Sequence, residues 1–316
     1  MPKGLGYTIL DVGFASKTWL GRNPMKHDRT VKTAKDWFGD RVAVLATMHR
    51  KEEAIAPILE TALALQVTIP TNLNTDQFGT FTREVARPGT QLEAARLKAQ
   101  QGLAITGASL GLASEGSFGP HPAFPYIACN REIVVLLDPV HGLELVGQDF
   151  STETNYAHQR VTRFEEALAF AKKAGFPSHG LVVMPTEATT DPQMIHKGIT
   201  DEALFEEVVM RLLKQQGQVH LETDMRAMVN PTRMRAIARA AADLARKAQQ
   251  LCPHCGTPGF DVSDRRPGLP CELCGSPTDL PLEAIYTCNV CGFTKADRFP
   301  NGVETADPAQ CQFCNP

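Results

Sequence analysis

The sequence predicts an α/β protein: a mixed, mostly parallel sheet flanked by helices, with a small C-terminal Cys-rich zinc-ribbon module. Three observations carry this. From residue 41 onward, short apolar runs alternate with amphipathic stretches, the pattern of strand–helix–strand units. Eight of the nine cysteines stand in four Cys-x-x-Cys pairs, all beyond residue 250. Between these regions, 231–250 has a helical apolar stripe and many bases. The expected organisation is an N-terminal arm over 1–40, an α/β domain carrying the chemistry over 41–230, a connecting helix over 231–250 and a two-zinc ribbon module over 251–316.

Each element has its own warrant. In the arm, Tyr7 to Val12 reads as a strand. Arg41 to Thr47 is a continuous apolar run and reads as a buried strand. Met48 to Lys51 turns the chain into a helix reaching about Leu65, with Ile55, Ile58, Leu59, Ala62 and Leu63 on one face. Pro57 is expected to kink that helix or delay its start. Gln66 to Pro70 is the next strand, parallel to the first across a right-handed crossover. Residues 71–88 form a long polar loop, and a helix follows from Thr90 to Thr106. Ser109 onward is a strand expected to stop at Glu115, in the loop Ser114-Glu115-Gly116-Ser117-Phe118-Gly119-Pro120-His121-Pro122. Glu132 to Asp138 is a buried strand, and Leu143 to Asp149 returns from it as a hairpin. Thr152 to His158 is polar and unassigned. Phe164 to Ala174 is a helix closed by Gly175, and Gly180 to Met184 a strand. Pro185 to Thr200 reads as loop, Asp201 to Gln216 as helix and Val219 to Thr223 as the last strand before the connecting helix. Asn230 is a good N-cap with Pro231 at the first helical position, ahead of the stripe Met234, Ile237, Ala241, Leu244 and Ala248.

Bulk properties narrow the class. The 316 residues suit one large domain and a small one. A net charge of −3 carries no overall nucleic-acid footprint. No apolar run is long enough to span a bilayer, and Met-Pro-Lys-Gly-Leu-Gly-Tyr lacks the regions of a signal peptide. A cytoplasmic protein with no membrane partner is expected.

The first chemical candidate is Glu115, a carboxylate placed where α/β sheets bind ligands, with Ser117 and His121 beside it. The plain alternative is a solvated Glu at an ordinary strand exit. The second is Thr47, His49 and Lys51, where a strand hands over to a helix N-terminus that favours phosphate. Its alternative is a basic surface turn. The third is Glu222 and Asp224, on one face of a strand and able to hold a divalent ion, with Arg226 and Arg233 as phosphate clamps. A structural ion-pair network explains the same residues. Asp76 and Arg83 in the long loop, and His121, His158 and His179 in loops, complete the set.

Cys252/Cys255, Cys271/Cys274, Cys288/Cys291 and Cys311/Cys314 are the strongest signal. Thiolates two residues apart share one tetrahedral zinc, so four pairs imply two structural zincs. Sequential pairing, first with second and third with fourth, is favoured; a nested arrangement is the rival. Cys129 reads as a buried small apolar residue. The connecting helix carries Arg233, Arg235, Arg239, Arg246 and Lys247 against Asp243, a candidate nucleic-acid face. Residues 252–316, however, hold four bases against eight acids, and thiolate sites add more negative charge. The module therefore suits a stabilising cap or a protein-docking surface.

Two resemblances add to this reading. Ala-Thr-Met-His-Arg-Lys-Glu, Thr-Asp-Gln-Phe-Gly-Thr-Phe-Thr, Ala-Ser-Glu-Gly-Ser-Phe-Gly-Pro-His-Pro, Thr-Asp-Met-Arg-Ala and Asn-Pro-Thr-Arg-Met, with the Cys pairs, resemble an uncharacterised bacterial family of unknown function over nearly the whole chain. Residues 41–138 are similar to the opening of the inosine/xanthosine triphosphate pyrophosphatases. Those carry Ala-Thr-x-Asn-x-x-Lys, where this chain has Ala46-Thr47-Met48-His49-Arg50-Lys51. They also carry a helix with spaced Ala and Arg and a strand ending in an acid and glycine, similar to Glu93–Ala99 and Gly111–Gly116 here. That resemblance implies Mg²⁺ at Glu115 and phosphates held by Lys51; from the residues themselves, Mg²⁺ or Mn²⁺ is expected at Glu115 together with Asp76 or Asp224. The expected function is metal-dependent hydrolysis of a phosphoester or phosphoanhydride in a nucleotide-like molecule. The alternatives are a non-enzymatic nucleotide-binding or assembly protein docking through its zinc module, and an RNA-processing enzyme.

Overall fold

In the computed structural model, which describes residues 33–71, 73 and 89–316, the chain is laid out on three sheets. Asp76 and Arg83, and the expected arm strand Tyr7 to Val12, lie outside the described residues. Helix α1 (Ala34–Phe38) leads into β1 (Val42–Ala46), α2 (Glu52–Leu63) and β2 (Gln66–Thr68). β1 and β2 pair in parallel, as a β-α-β unit requires. Pro57 stays inside α2 and forgoes one backbone hydrogen bond. α3 (Gln91–Thr106) starts with a capping box between Thr90 and Glu93 and ends on Gly107. β3 (Leu110–Pro120) then pairs with β1 in parallel, and β4 (Ala128–Asp138) and β5 (Leu143–Ser151) return antiparallel, giving the order β2-β1-β3-β4-β5.

A second sheet follows: β6 (His158–Val161), α4 (Phe164–Ala174), β7 (Leu181–Met184), β8 (His196–Ile199), α5 (Glu202–Gln216) and β9 (Val219–Thr223), in the order β6-β9-β7-β8. Every pairing in it is antiparallel. The expectation of a mostly parallel sheet is thus overturned. Among the described residues only β1–β2 and β1–β3 run parallel. Parallel pairs need long crossovers, whereas β3–β4 and β4–β5 are joined by turns. β8 lies in the stretch read as loop, and β6 begins at the end of the polar stretch and continues through residues given no element. Both are four-residue edge strands, His158-Gln-Arg-Val and His196-Lys-Gly-Ile, and neither shows apolar alternation. The strand expected to stop at Glu115 also continues to Pro120, because β4 pairs with it from Gly111–Leu137 to Pro120–Ala128 and holds the Gly/Ser segment extended.

The first sheet is packed on both faces. Leu45, Leu112, Val134 and Leu136 meet α2 and α6 (Pro231–Gln249), while Ala46, Ala113, Ile133 and Val135 face α3. In the second sheet Val183, Val219 and Leu221 pack on α4 and α5. Asn230 Oδ1 accepts the Arg233 N–H at 3.0 Å and starts α6. Along β5, α6 comes so close that a Cβ on Gly147 would collide with the Ala240 carbonyl. α6 also caps the free edge of β5: Gln148 N donates to Asp243 at 2.9 Å, and Lys247 Nζ to the Val146 carbonyl at 2.9 Å. β10 (Asp261–Pro267), β11 (Pro281–Thr287) and β12 (Thr294–Arg298) form an antiparallel meander, the third sheet. No helix among the described residues is long and apolar enough to cross a membrane.

The contact at Gly147 gives a stability prediction. Gly147→Ala forces α6 off β5 and lowers stability by about 1–3 kcal/mol, read as a lower urea midpoint with an unchanged slope. Gly119→Ala, with open space at its Cβ, shifts the midpoint by less than about 0.5 kcal/mol equivalent.

Candidate functional site

β1 ends at Ala46, opposite Ala113, while β3 runs on. Polar groups gather at this step. Ser114, Gly116 and Phe118 share one face of β3 with Glu132 and Asn130 of β4, and Glu115 lies on the face toward α3. From α3, Lys98 forms an ion pair with Glu115. Lys51, at the start of α2, donates from Nζ to the Ser114 carbonyl at 3.2 Å. From α6, Arg233 Nε donates to Glu132 Oε1 at 2.8 Å, and its Nη1 donates to the Met225 carbonyl. The guanidinium lies 5.2 Å from the centre of the Phe118 ring. Gly116 makes room for this pair: a Cβ there would collide with Glu132 and stand 2.6 Å from Arg233 Nη2.

All five charged groups are buried. Three are cations and two are carboxylates. Burial lowers the Lys51 pKa from 10.5 to about 7; Arg233 and Lys98 repel its proton, and Glu115 and Glu132 only partly offset this. Thr47 Oγ1, Ser114 Oγ and Asn130 Oδ1 are buried with no hydrogen-bond partner among the described residues.

Thr47, Lys51, Glu115 and Arg233 are thus the expected residues that come together. Lys98, Glu132 and Asn130 are additional. Lys98 had a signal: with Ala95, Ala99 and Gly102 it lies on the buried, small-residue face of α3. The other expected residues go elsewhere. Asp224 is held by Arg226 Nη2 at 2.7 Å and by the Gly198 N–H at 2.9 Å, at the end of β9. His121 Nδ1 accepts the Ala123 and Phe124 N–H groups at 3.1 and 3.2 Å and closes the β3–β4 turn. His179 Nε2 meets Thr232 Oγ1 at 2.9 Å. Ser117 is half-buried opposite Arg131, and His49 is half-buried in the turn after β1. A divalent ion at Glu115 does not fit the described residues: ammonium groups flank the carboxylate, and no cluster of metal-ligating side chains includes it.

The cysteines form two clusters able to hold metal ions such as zinc: Cys252, Cys255, Cys288 and Cys291, and Cys271, Cys274, Cys311 and Cys314. Cross-pair Sγ separations are 3.6 and 3.7 Å in the first cluster, and 3.7 and 3.8 Å in the second. Those match the edge of a tetrahedron with Zn–S bonds of about 2.3 Å and exceed a disulfide of about 2.05 Å. The pairing is interleaved, first with third and second with fourth, which overturns both the sequential and the nested expectation. The meander dictates it. Chain reversal at every turn puts the approach to β10 and the β11–β12 turn at one end, and the β10–β11 turn and the exit from β12 at the other.

The bases of α6 are all paired: Arg233 with Glu132, Arg235 with Glu153, Arg239 with Asp149, and Arg246 and Lys247 with Asp243 and Asp261.

A family model described as a domain of unknown function, DUF6671, matches residues 98–316. No curated protein matches the chain.

The interleaved pairing is open to a metal count. Replacing Cys252, Cys255, Cys288 and Cys291 together by Ser leaves one intact four-cysteine cluster, so mass spectrometry after EDTA treatment finds one cysteine-bound zinc per chain. Sequential pairing would leave none.

Proposed function

The chain belongs to that family of unknown function, and on that premise we propose that the step between β1 and β3 binds a phosphorylated, nucleotide-like small molecule and hydrolyses its phosphoester or phosphoanhydride bond. The observation that supports this is, among the described residues, the excess of buried cationic side chains over carboxylates beside two hydroxyls that have no described partner. A buried cation without a counter-charge is costly. The protein lowers that cost by leaving Lys51 only about half protonated at pH 7, and an entering phosphate would supply the missing charge. The step lies where parallel strands diverge to their crossovers, a preferred ligand position in α/β sheets.

In this reading Lys51 and the start of α2 bind the phosphoryl oxygens, with Thr47 and Ser114 donating hydrogen bonds. Lys98 turns from Glu115 toward the substrate and neutralises charge developing in the transition state. Glu115, released, accepts a proton from the attacking water. Arg233 stays with Glu132 and orients the floor of the site. Mg²⁺ or Mn²⁺ enters only as the counter-ion of a nucleotide substrate. The two cysteine clusters hold structural Zn²⁺; four thiolates leave no open position for catalysis. Thiolate sites of this kind suit a reducing, cytoplasmic setting.

A second reading is favoured by one observation. Leu273 and Phe313, each 74% exposed, sit in two loops of the same cysteine cluster and suit a protein-docking role for the zinc module. The pairing of every base on α6 removes the support for an RNA-binding enzyme.

Hydrolysis of a panel of nucleoside triphosphates and phosphomonoesters, with Mg²⁺ or Mn²⁺, tests the proposal. Turnover is expected for the wild type and at least a hundredfold less for Lys51→Met and Glu115→Gln. Absence of turnover on every substrate rejects it. Binding has its own signature, read with sulfate, which does not titrate near neutrality. An anion raises the Lys51 pKa, so binding takes up a proton. Affinity is greatest below pH 7 and falls up to about tenfold per pH unit above it, and this dependence disappears in Lys51→Met. Stability runs the other way. The folded pKa lies below the unfolded one, so above pH 7 the unfolded chain binds more protons. Stability therefore rises with pH toward the unfolded pKa, by at most about 1.4 kcal/mol per unit, and Lys51→Met lacks that slope in denaturant titrations.

A further inference from the structure

On the second sheet, the face opposite α4 and α5 carries a different cluster. In β9, Leu221 points into the helix-packed core, so its neighbours His220 and Glu222 lie on the other face. β6 places His158 directly across from Glu222, and the His158 and His220 rings are 5.6 Å apart. β7 pairs Met184 with His220, and the loop leaving β7 brings in Glu187. One ligand atom each from His158, Glu187 and His220 lie within 4.8 Å of one another. His220 is 3% exposed, while His158 and Glu187 are exposed at the mouth. His220 Nε2 is 3.1 Å from Glu222 Oε1, so a second carboxylate borders the site.

We propose that His158, His220 and Glu187 bind one first-row divalent transition metal ion, with Glu222 beside it. The donor set is the argument. Two imidazoles and a carboxylate suit Zn²⁺, Fe²⁺ or Co²⁺ far better than Mg²⁺ or Ca²⁺. Ligands about 2.1 Å from one ion lie at most about 4.2 Å apart, so the set closes through small side-chain rotations at exposed His158 and Glu187. The buried imidazole of His220 anchors it. Three protein ligands leave a coordination position for water or substrate, the arrangement of catalytic rather than structural metal sites. Thiolates are absent from this cluster, which separates it chemically from the two cysteine sites. The inference is independent of the anion site on the first sheet.

The test is a Co²⁺ titration of the full chain with zinc in both cysteine clusters. One further equivalent is expected to bind per chain, with weak ligand-field absorption and no thiolate charge-transfer band. EDTA removes it while the cysteine-bound zinc stays. His158→Ala and Glu187→Gln each weaken Co²⁺ binding about tenfold or more, with unchanged circular dichroism, since both positions are exposed. Failure of a third equivalent to bind, or an affinity unchanged in both variants, overturns the assignment. A charge-transfer band would mean cobalt exchange into the cysteine sites and would also overturn it.

Discussion

The ion pair between Arg233 and Glu132 is the interaction on which the first sheet, the long helix and the second sheet jointly depend. Both side chains are fully buried, with Nε and Oε1 2.8 Å apart. Arg233 lies in the first turn of α6, Glu132 lies on β4, and Met225, whose carbonyl receives the other arm of the guanidinium, follows β9. Such a pair contributes little net stability against a well-packed apolar replacement, but losing one partner strands a buried charge at about 3–5 kcal/mol. The neighbours are arranged around it. Asn230 caps the helix at the Arg233 N–H, Phe118 lies against the guanidinium, and Gly116 has no side chain because the pair occupies that space.

The same pair shapes the electrostatics of the step beside it. Arg233 is the largest charge effect on Lys51 and reinforces burial in lowering its pKa. Glu132 is already engaged by Arg233, and Glu115 by Lys98, so neither carboxylate fully compensates Lys51. The result, among the described residues, is a small region where cationic side chains outnumber carboxylates at the point where β1 stops. The His158–Glu187–His220 cluster has the reverse character, rich in lone pairs and open at its mouth. Among the described residues the two sheets therefore carry clusters of opposite composition, one with more cationic than anionic side chains and one of imidazoles and carboxylates.

The C-terminal module is tied to the rest through α6 and α1. Arg246 bridges Asp243 on α6 and Asp261 on β10, and Trp37 Nε1 donates to the Gly256 carbonyl at 3.1 Å. Asp243 thus serves three partners at once: Arg246, Lys247 and the edge N–H of β5. The bases of α6 are structural glue between layers, although in the linear chain they look like a nucleic-acid face. Charge counted along a helix does not reveal whether acids from other elements will meet it.

Several elements with a local signal were legible in the amino-acid sequence, whereas α1, inside the expected arm and opened by a Thr33–Asp36 capping box, was not read. The legible ones include the β1–α2–β2 unit, the Gly175 and Gly217 helix ends, the Asn230 cap with its apolar stripe, and the eight thiol ligands. Each depends on residues a few positions apart, where propensity, capping and spacing act directly. Contacts between remote segments set the rest. Edge strands β6 and β8 exist because neighbouring strands pair with them, not because their residues favour it. Glu115 is inside a strand because β4 continues beyond β1. Asp224 turned to Arg226 and Gly198, and Lys51 acquired its low pKa from burial and from a guanidinium far along the chain. The cysteine pairing followed from the reversal of an antiparallel meander, which assigns alternate Cys-x-x-Cys turns to opposite ends. Ligand identity is written in residue type and spacing, but partnership is a distance between remote segments, and only the folded chain sets it.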